Sequence, residues 1–175
     1  MSNILIIYSS VDGHTLKISS RLQELIQIEN NQVQLLAIEQ QDKVDLTDFD
    51  KIIIGASIRY GKHRPQVYEY IKKHKELLQS KPSAFFSVSL VARKVNKNLP
   101  ENNPYMKKFL KKSSWNPHEL AVFAGKIDYQ KYDFWDRNII RLIMWLTKGP
   151  TRSDAYVDYT NWDDVDAFGM RICQM

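Results

Sequence analysis

A single cysteine, Cys173, occurs among 175 residues. That excludes an internal disulfide and any cysteine-based metal site, and it fits a reducing compartment. Apolar runs are short, and none approaches the roughly 20 residues needed to span a bilayer. Met1-Ser2-Asn3 leads directly into Ile4-Leu5-Ile6-Ile7-Tyr8, without the charged region and cleavage site of a secretory leader. These absences predict a cytoplasmic location. Glycine numbers only six, and two glycine-dependent phosphate signatures are missing. Neither G-x-x-x-x-G-K-[ST] nor a G-x-G-x-x-G after the first strand occurs, which excludes a P-loop and a dinucleotide fingerprint. Repeats, low-complexity tracts and linkers are also lacking. The length suits one core rather than two, so residues 1–175 are expected to form a single domain.

What is present is an uneven distribution of charge. The formal net charge of +5 conceals a basic middle: residues 59–112 carry fourteen basic and three acidic side chains. Residues 1–58 and 113–175 are both net acidic. Such a segment implies an anionic partner: nucleic acid, anionic lipid or a carboxylate-bearing ligand. Aromatics there are limited to Tyr60, Tyr68, Tyr70, Phe85, Phe86, Tyr105 and Phe109. That composition gives poor support to a stacking platform for single strands, and no nucleic-acid partner is expected.

Apolar runs alternate with helical patterns along the chain. Ile4–Tyr8, Val33–Ile38, Ile52–Ile54, Ala84–Val88 and Leu120–Ala124 read as five strands, the continuous runs suggesting burial on both faces. Between them Ile18, Leu22, Leu25 and Ile26 recur at helical spacing, and Pro65 and Pro104 open further helices. A last helix begins at Asn161 or Trp162, capped by Thr160 or Asn161. Five strands interleaved with helices predict an α/β fold with a doubly wound parallel sheet.

Residues 128–157 interrupt that scheme, because a connection between strand and helix is usually short. Phe134, Trp135, Ile139, Ile140, Leu142, Ile143, Met144, Trp145 and Leu146 crowd together there, with Arg137, Arg141 and Lys148 among them. A helix built from them is apolar around most of its circumference. Three roles remain open for this insert: an extra core layer, a partner interface, or contact with the membrane or the substrate. Trp135 and Trp145 with interspersed cations match an interfacial helix, and Ile139, Leu142, Ile143 and Leu146 would be its lipid side.

Ligands of an open parallel sheet bind beyond the carboxyl ends of the strands. The first such loop, Ser9-Ser10-Val11-Asp12-Gly13-His14-Thr15, offers hydroxyls, a glycine and a helix start, but no Lys or Arg. It suits a phosphate held by neutral donors, and it is equally a common form of helix cap. Asp12 is expected to face away as a turn residue, and His14 to be a loop residue. The third strand ends in Gly55-Ala56-Ser57 rather than in acids, which excludes a phospho-acceptor domain.

Ser9 to Thr15 resembles the FMN phosphate loop of flavodoxins. The next two loops, Gly55-Ala56-Ser57-Ile58-Arg59-Tyr60-Gly61 and Ser87-Val88-Ser89-Leu90-Val91-Ala92-Arg93, resemble those of the menaquinone-dependent protoporphyrinogen oxidases. So do the insert, with Tyr132-x-x-Trp135-x-Arg137 and Leu142-Ile143-Met144, and the tail Tyr159-Thr160-x-Trp162. The resemblance covers essentially the whole chain. It implies a flavodoxin-like five-stranded sheet with a helical insert before the last helix. It further implies a quinone-dependent dehydrogenase that oxidises protoporphyrinogen IX to protoporphyrin IX in haem biosynthesis. FMN would lie with its phosphate on residues 9–15 and its ring between residues 57–61 and 87–93. Menaquinone or ubiquinone would take the electrons at the cytoplasmic face of the inner membrane, to which the protein would attach peripherally.

Arg59, Arg64, Arg93 and Lys94 are the candidates for pairing with the two propionates, since a guanidinium engages a carboxylate bidentately. His63 is a candidate proton acceptor, or else an exposed surface histidine. No metal-ligand spacing occurs. The rival readings are an NAD(P)H:quinone reductase and a flavodoxin-type electron carrier. Against the carrier stand the basic charge and the presence of one aromatic, Tyr60, in the two ring-flanking loops.

Overall fold

The computed structural model describes residues 1–131, 134–146, 149–152 and 154–175. Tyr132 and Lys148, which figured in the resemblance and in the expected lipid contact, lie outside the described residues. Five parallel strands form the central sheet: β1 (Asn3–Ser9), β2 (Gln32–Ala37), β3 (Lys51–Arg59), β5 (Ser83–Ser89) and β6 (Glu119–Ala124). Their order is β2-β1-β3-β5-β6. The two-residue strand β4 (Lys62–His63) pairs antiparallel with the end of β3. The turn between them, Tyr60-Gly61, has positive φ at both residues, 50° and 73°, as a two-residue hairpin requires.

The continuous apolar runs divide between two cores because neighbouring residues in a strand face opposite ways. Ile4, Ile6, Ile53, Ala84 and Phe86 meet Ile18, Leu22 and Ile26 of α1 (His14–Ile28) and Val165, Phe168 and Ile172 of α6 (Trp162–Gln174). Leu5, Ile7, Ile52, Ile54 and Phe85 meet the opposite layer of α2 (Pro65–Lys73), α3 (Lys75–Ser80) and α4 (Pro104–Ser113). Phe85 and Phe109 stack there, with centroids 3.7 Å apart.

Caps fix the helix ends. Asn103 accepts from the amides of Tyr105 and Met106, and Asn161 from that of Asp163, satisfying donors that a first turn leaves unpaired. Lys51, at the start of β3, donates to the carbonyls of Ile172 and Cys173 at the end of α6. A cation is favoured at that position.

The insert is rooted by a small antiparallel pair, β7 (Lys126–Asp128) and β8 (Tyr156–Asp158). Between them runs α5 (Phe134–Leu146), of which only Asp136 and Met144 are buried. Met144 packs with Ile127 and Tyr129. The helix is therefore not an extra core layer. Leu142, Trp145 and Leu146 are exposed together with Phe134 and Trp135. Ile139 and Ile143 are exposed as well, and they also border a cavity. No helix among the described residues is long and apolar enough to cross a membrane.

Candidate functional site

The strand order reverses between β1 and β3, where the loops leaving adjacent strands diverge and open a crevice. A cavity of about 400 Å³ lies there, within the range of small-molecule sites. Its floor is Val11, Asp12, His14 and Thr15. One wall is Ser57 to Gly61, the other Val88 to Val91 with Gly125 and Lys126. Tyr105 from α4 and Asp136, Ile139, Ile140 and Ile143 from α5 close it. The three loops read from the sequence thus converge, although not every residue in them reaches the space.

The floor is built for an anion. Gly13 adopts φ 82° and precedes α1 without any side-chain cap, so the loop hydroxyls do not cap this helix. Ser10 Oγ instead accepts from the Gly13 amide at 3.1 Å. The first-turn amides of α1 have no acceptor within the helix, and the helix dipole favours negative charge there. Thr15 Oγ1 and His14 Nδ1 are buried and have no hydrogen-bond partner among the described residues. A Cβ on Gly13 would meet nothing within 4 Å. A phosphate ester fits this donor set, with Thr15 and backbone amides rather than cations as the donors.

His14 is the first residue of α1, not part of the loop, and it is buried. Thr160 donates its hydroxyl proton to the Ala124 carbonyl at 2.9 Å. The 2.7 Å contact between His14 Nε2 and Thr160 Oγ1 must therefore use the proton on Nε2. That leaves Nδ1 with a bare lone pair. Burial lowers the His14 pKa, opposed by Asp158, whose carboxylate lies 3.7 Å from Nε2. Asp12, expected to face away, lines the cavity.

Of the four expected carboxylate-binding cations, Arg59 lines the cavity. Its guanidinium is ion-paired to Asp136, and the Tyr60 hydroxyl donates to the same carboxylate. Arg64 pairs with Glu39 at 2.5 Å. Arg93 donates to the Leu90 carbonyl, with its guanidinium over the Tyr159 ring. Arg64, Arg93 and Lys94 do not border the cavity, and neither do Ser9, Ser10, Gly13, Ser87 or Ala92. Ser9 remains connected to the site, because its carbonyl accepts from Ser57 Oγ at 3.5 Å.

His63 is not an exposed histidine. It is buried, shares a 2.9 Å hydrogen bond with Ser87 Oγ, and meets the edges or faces of Tyr68, Phe85 and Phe109. Burial pushes its pKa down to about 4. It lies outside the cavity lining. Tyr105, Gly125, Lys126, Asp136 and Ile140 were not anticipated. Each reaches the site from a distant segment, and only the apolar crowding around Ile140 gave a sequence signal.

Fold and crevice together define a doubly wound domain with an anion-binding switch point. Residues 5–154 match the flavodoxin domain family, and the chain belongs to it. It is similar to a protein of Escherichia coli (strain K12) named protoporphyrinogen IX dehydrogenase [quinone]. The two are 39% identical over 171 residues, covering 98% of this chain and 94% of that one. A protein of the same name from Leishmania major is 41% identical over 165 residues, 94% of this chain and 71% of the relative. Among solved structures, two-electron reduced Megasphaera elsdenii flavodoxin superposes with a TM-score of 0.60 at 11% identity, covering 98% and 99% of the two chains. A Fusobacterium nucleatum flavodoxin bound to flavin mononucleotide gives 0.52 at 9% identity, covering 99% and 96%. At such identities the structural likeness establishes the fold.

Proposed function

We propose that this chain is an FMN-dependent enzyme that dehydrogenates protoporphyrinogen IX to protoporphyrin IX and delivers the electrons to a quinone. The observation that carries the reading is the switch-point cavity, with its uncapped helix and unpartnered Thr15 Oγ1. Relatives named for this reaction, similar over nearly the whole chain, supply the substrate class. FMN, when bound, supplies the two-electron acceptor.

In this reading the amides at the start of α1 and the Thr15 hydroxyl grip the phosphate. Residues 57–61 and 88–91 flank the ring and set its hydrogen bonding. Ile139, Ile140 and Ile143 cover the space and exclude water. Arg59 meets a propionate, and positioning rather than covalent catalysis carries the rate. Residues 1–175 act as one domain, with 128–157 as its insert. The exposed face of α5, with Phe134, Trp135, Leu142, Trp145 and Leu146 beside Arg137 and Arg141, attaches the protein peripherally to the cytoplasmic face of the inner membrane. Menaquinone or ubiquinone is reached there.

Anaerobic mixing of the FMN-loaded protein with protoporphyrinogen IX and either quinone tests the reading through the rise of porphyrin fluorescence. A stoichiometric flavoprotein that yields no porphyrin with either quinone would end it. Rapid flavin bleaching by NADPH instead would make the chain a pyridine-nucleotide quinone reductase.

A further inference from the structure

Asp136 is a buried carboxylate on a helix that buries only one other residue, Met144. Its partners, the Arg59 guanidinium and the Tyr60 hydroxyl, come from the end of β3 and the turn after it, and line the same cavity. A guanidinium and a phenol converging on one carboxylate form a donor set for carboxylate recognition. Here the chain itself fills that set.

We infer that Arg59 and Tyr60 form the binding site for one substrate carboxylate, and that Asp136 is its displaceable internal occupant. The inference rests on the porphyrinogen reading above. Three features favour displacement over a permanent strut. The donors face the cavity rather than the core. Most of α5 remains in solvent, and its apolar packing is confined chiefly to Met144 and Ile140, so limited apolar burial opposes its shift. Asp136 also lies in the first turn of α5, where the helix dipole continues to favour its charge after it leaves Arg59. An entering carboxylate replaces it one for one, and the charge around Arg59 stays balanced while the insert is loosened.

The sign of the effect separates the alternatives. If Asp136 competes with the substrate, removing its charge strengthens binding of a dicarboxylate. If it merely holds Arg59 in place, removing it weakens binding. Protoporphyrin IX and its dimethyl ester are titrated into FMN-loaded wild type, Asp136→Asn and Asp136→Ser, following quenching of tryptophan fluorescence, with flavin content as the check on folding. We expect both variants to bind the diacid on the order of 10-fold more tightly, with the ester unchanged. Arg59→Gln should abolish the preference for acid over ester in either background. Chymotryptic cleavage at Phe134 and Trp135 in wild type should accelerate with the diacid and not with the ester. Weaker diacid binding by the Asp136 variants, or equal changes for acid and ester, would overturn the inference while leaving the proposed reaction intact. Absence of porphyrin binding to any flavin-loaded protein would instead remove the reaction and this inference together.

Discussion

The two sides of the cavity are built to different standards. At the sheet end, His14, Thr15 and Thr160 are buried, and the chain His14–Thr160–Ala124 ties α1 to the segment before α6 and to β6. Across the cavity, α5 is held chiefly through Met144, Ile140 and the Asp136 carboxylate, and most of its large apolar side chains are exposed. A phosphate needs donors fixed in advance, since neutral hydrogen bonds grip only at good geometry. A large apolar substrate that has to enter, and a quinone that has to follow, need a covering that gives way. In the proposed enzyme, rigidity is placed at the cofactor and looseness at the exchangeable ligands.

The comparison breaks most severely at Gly13. Its φ of 82° is a left-handed conformation that costs a non-glycine residue about 1–2 kcal/mol, and in the proposed reading it orients the amides that receive the phosphate. Gly13→Val should lose nearly all bound flavin, measured as flavin absorbance per protein, while vesicle binding through α5 is retained. A folded Gly13→Val protein with stoichiometric FMN would show that this loop is not the phosphate grip.

The next effect lies beneath the sheet end. Burial holds the pKa of His63 near 4, against 6.5 when the chain is unfolded. Above pH 6.5 both states are neutral, so no proton distinguishes them. As the pH falls from 6.5 towards 4, the unfolded chain takes up a proton that the folded protein refuses. Stability is lost over that window, by about 3 kcal/mol. Urea midpoints between pH 7 and 4.5 should therefore fall more steeply for wild type than for His63→Gln. Parallel pH profiles would mean that His63 titrates in the fold as it does in the open chain.

Much of the rigid side was legible in the sequence, and little of the loose side was. Ile4–Tyr8, Ile52–Ile54 and Ala84–Val88 read as buried strands because both faces of a parallel sheet are covered. Pro65, Pro104 and Asn161 marked helix starts that the structure keeps. The partnership of Arg59 with Asp136 was not legible, since it joins segments far apart in the chain that only the fold brings together. His63 was misread because its aromatic cage comes from Tyr68, Phe85 and Phe109 on three different elements. In α5 the apolar residues were plain, but which of them border the cavity was not. Ile139 and Ile143 border it and Leu142 and Leu146 do not, although their i, i+3, i+4, i+7 spacing puts all four on one side of the helix.

The two leucines outside the cavity supply a smaller effect that sharpens the same contrast. Leu142 and Leu146 are exposed and lie outside the cavity lining, so Leu142→Glu with Leu146→Glu changes the surface alone. Removing two leucines from a lipid contact should cost about 2 kcal/mol, on the order of 30-fold in partitioning to anionic vesicles. Co-sedimentation reads the loss, and FMN content should not change. Equal partitioning of mutant and wild type would move any membrane contact away from α5, with the basic stretch 59–112 the next surface to test.

The smallest expected effect belongs to Arg64, and it asks whether recognition of carboxylates is confined to the cavity. Arg64 stands just before α2 and pairs with Glu39 in solvent. Exposed pairs of this kind are worth about 0–1 kcal/mol, because water screens them and two long side chains must be held in one geometry. Arg64→Ala should therefore lower the urea midpoint slightly and alter porphyrin affinity by less than about 3-fold. Arg59→Ala should weaken it on the order of 10- to 100-fold, the usual result of losing a charge-assisted contact. Titration of both variants with protoporphyrin IX, at equal flavin content, makes the comparison direct. If Arg64→Ala weakens binding as much as Arg59→Ala, a substrate carboxylate must reach beyond the cavity rim and replace Glu39. The loose side of the site would then extend past α5 to the surface between Glu39 and the start of α2.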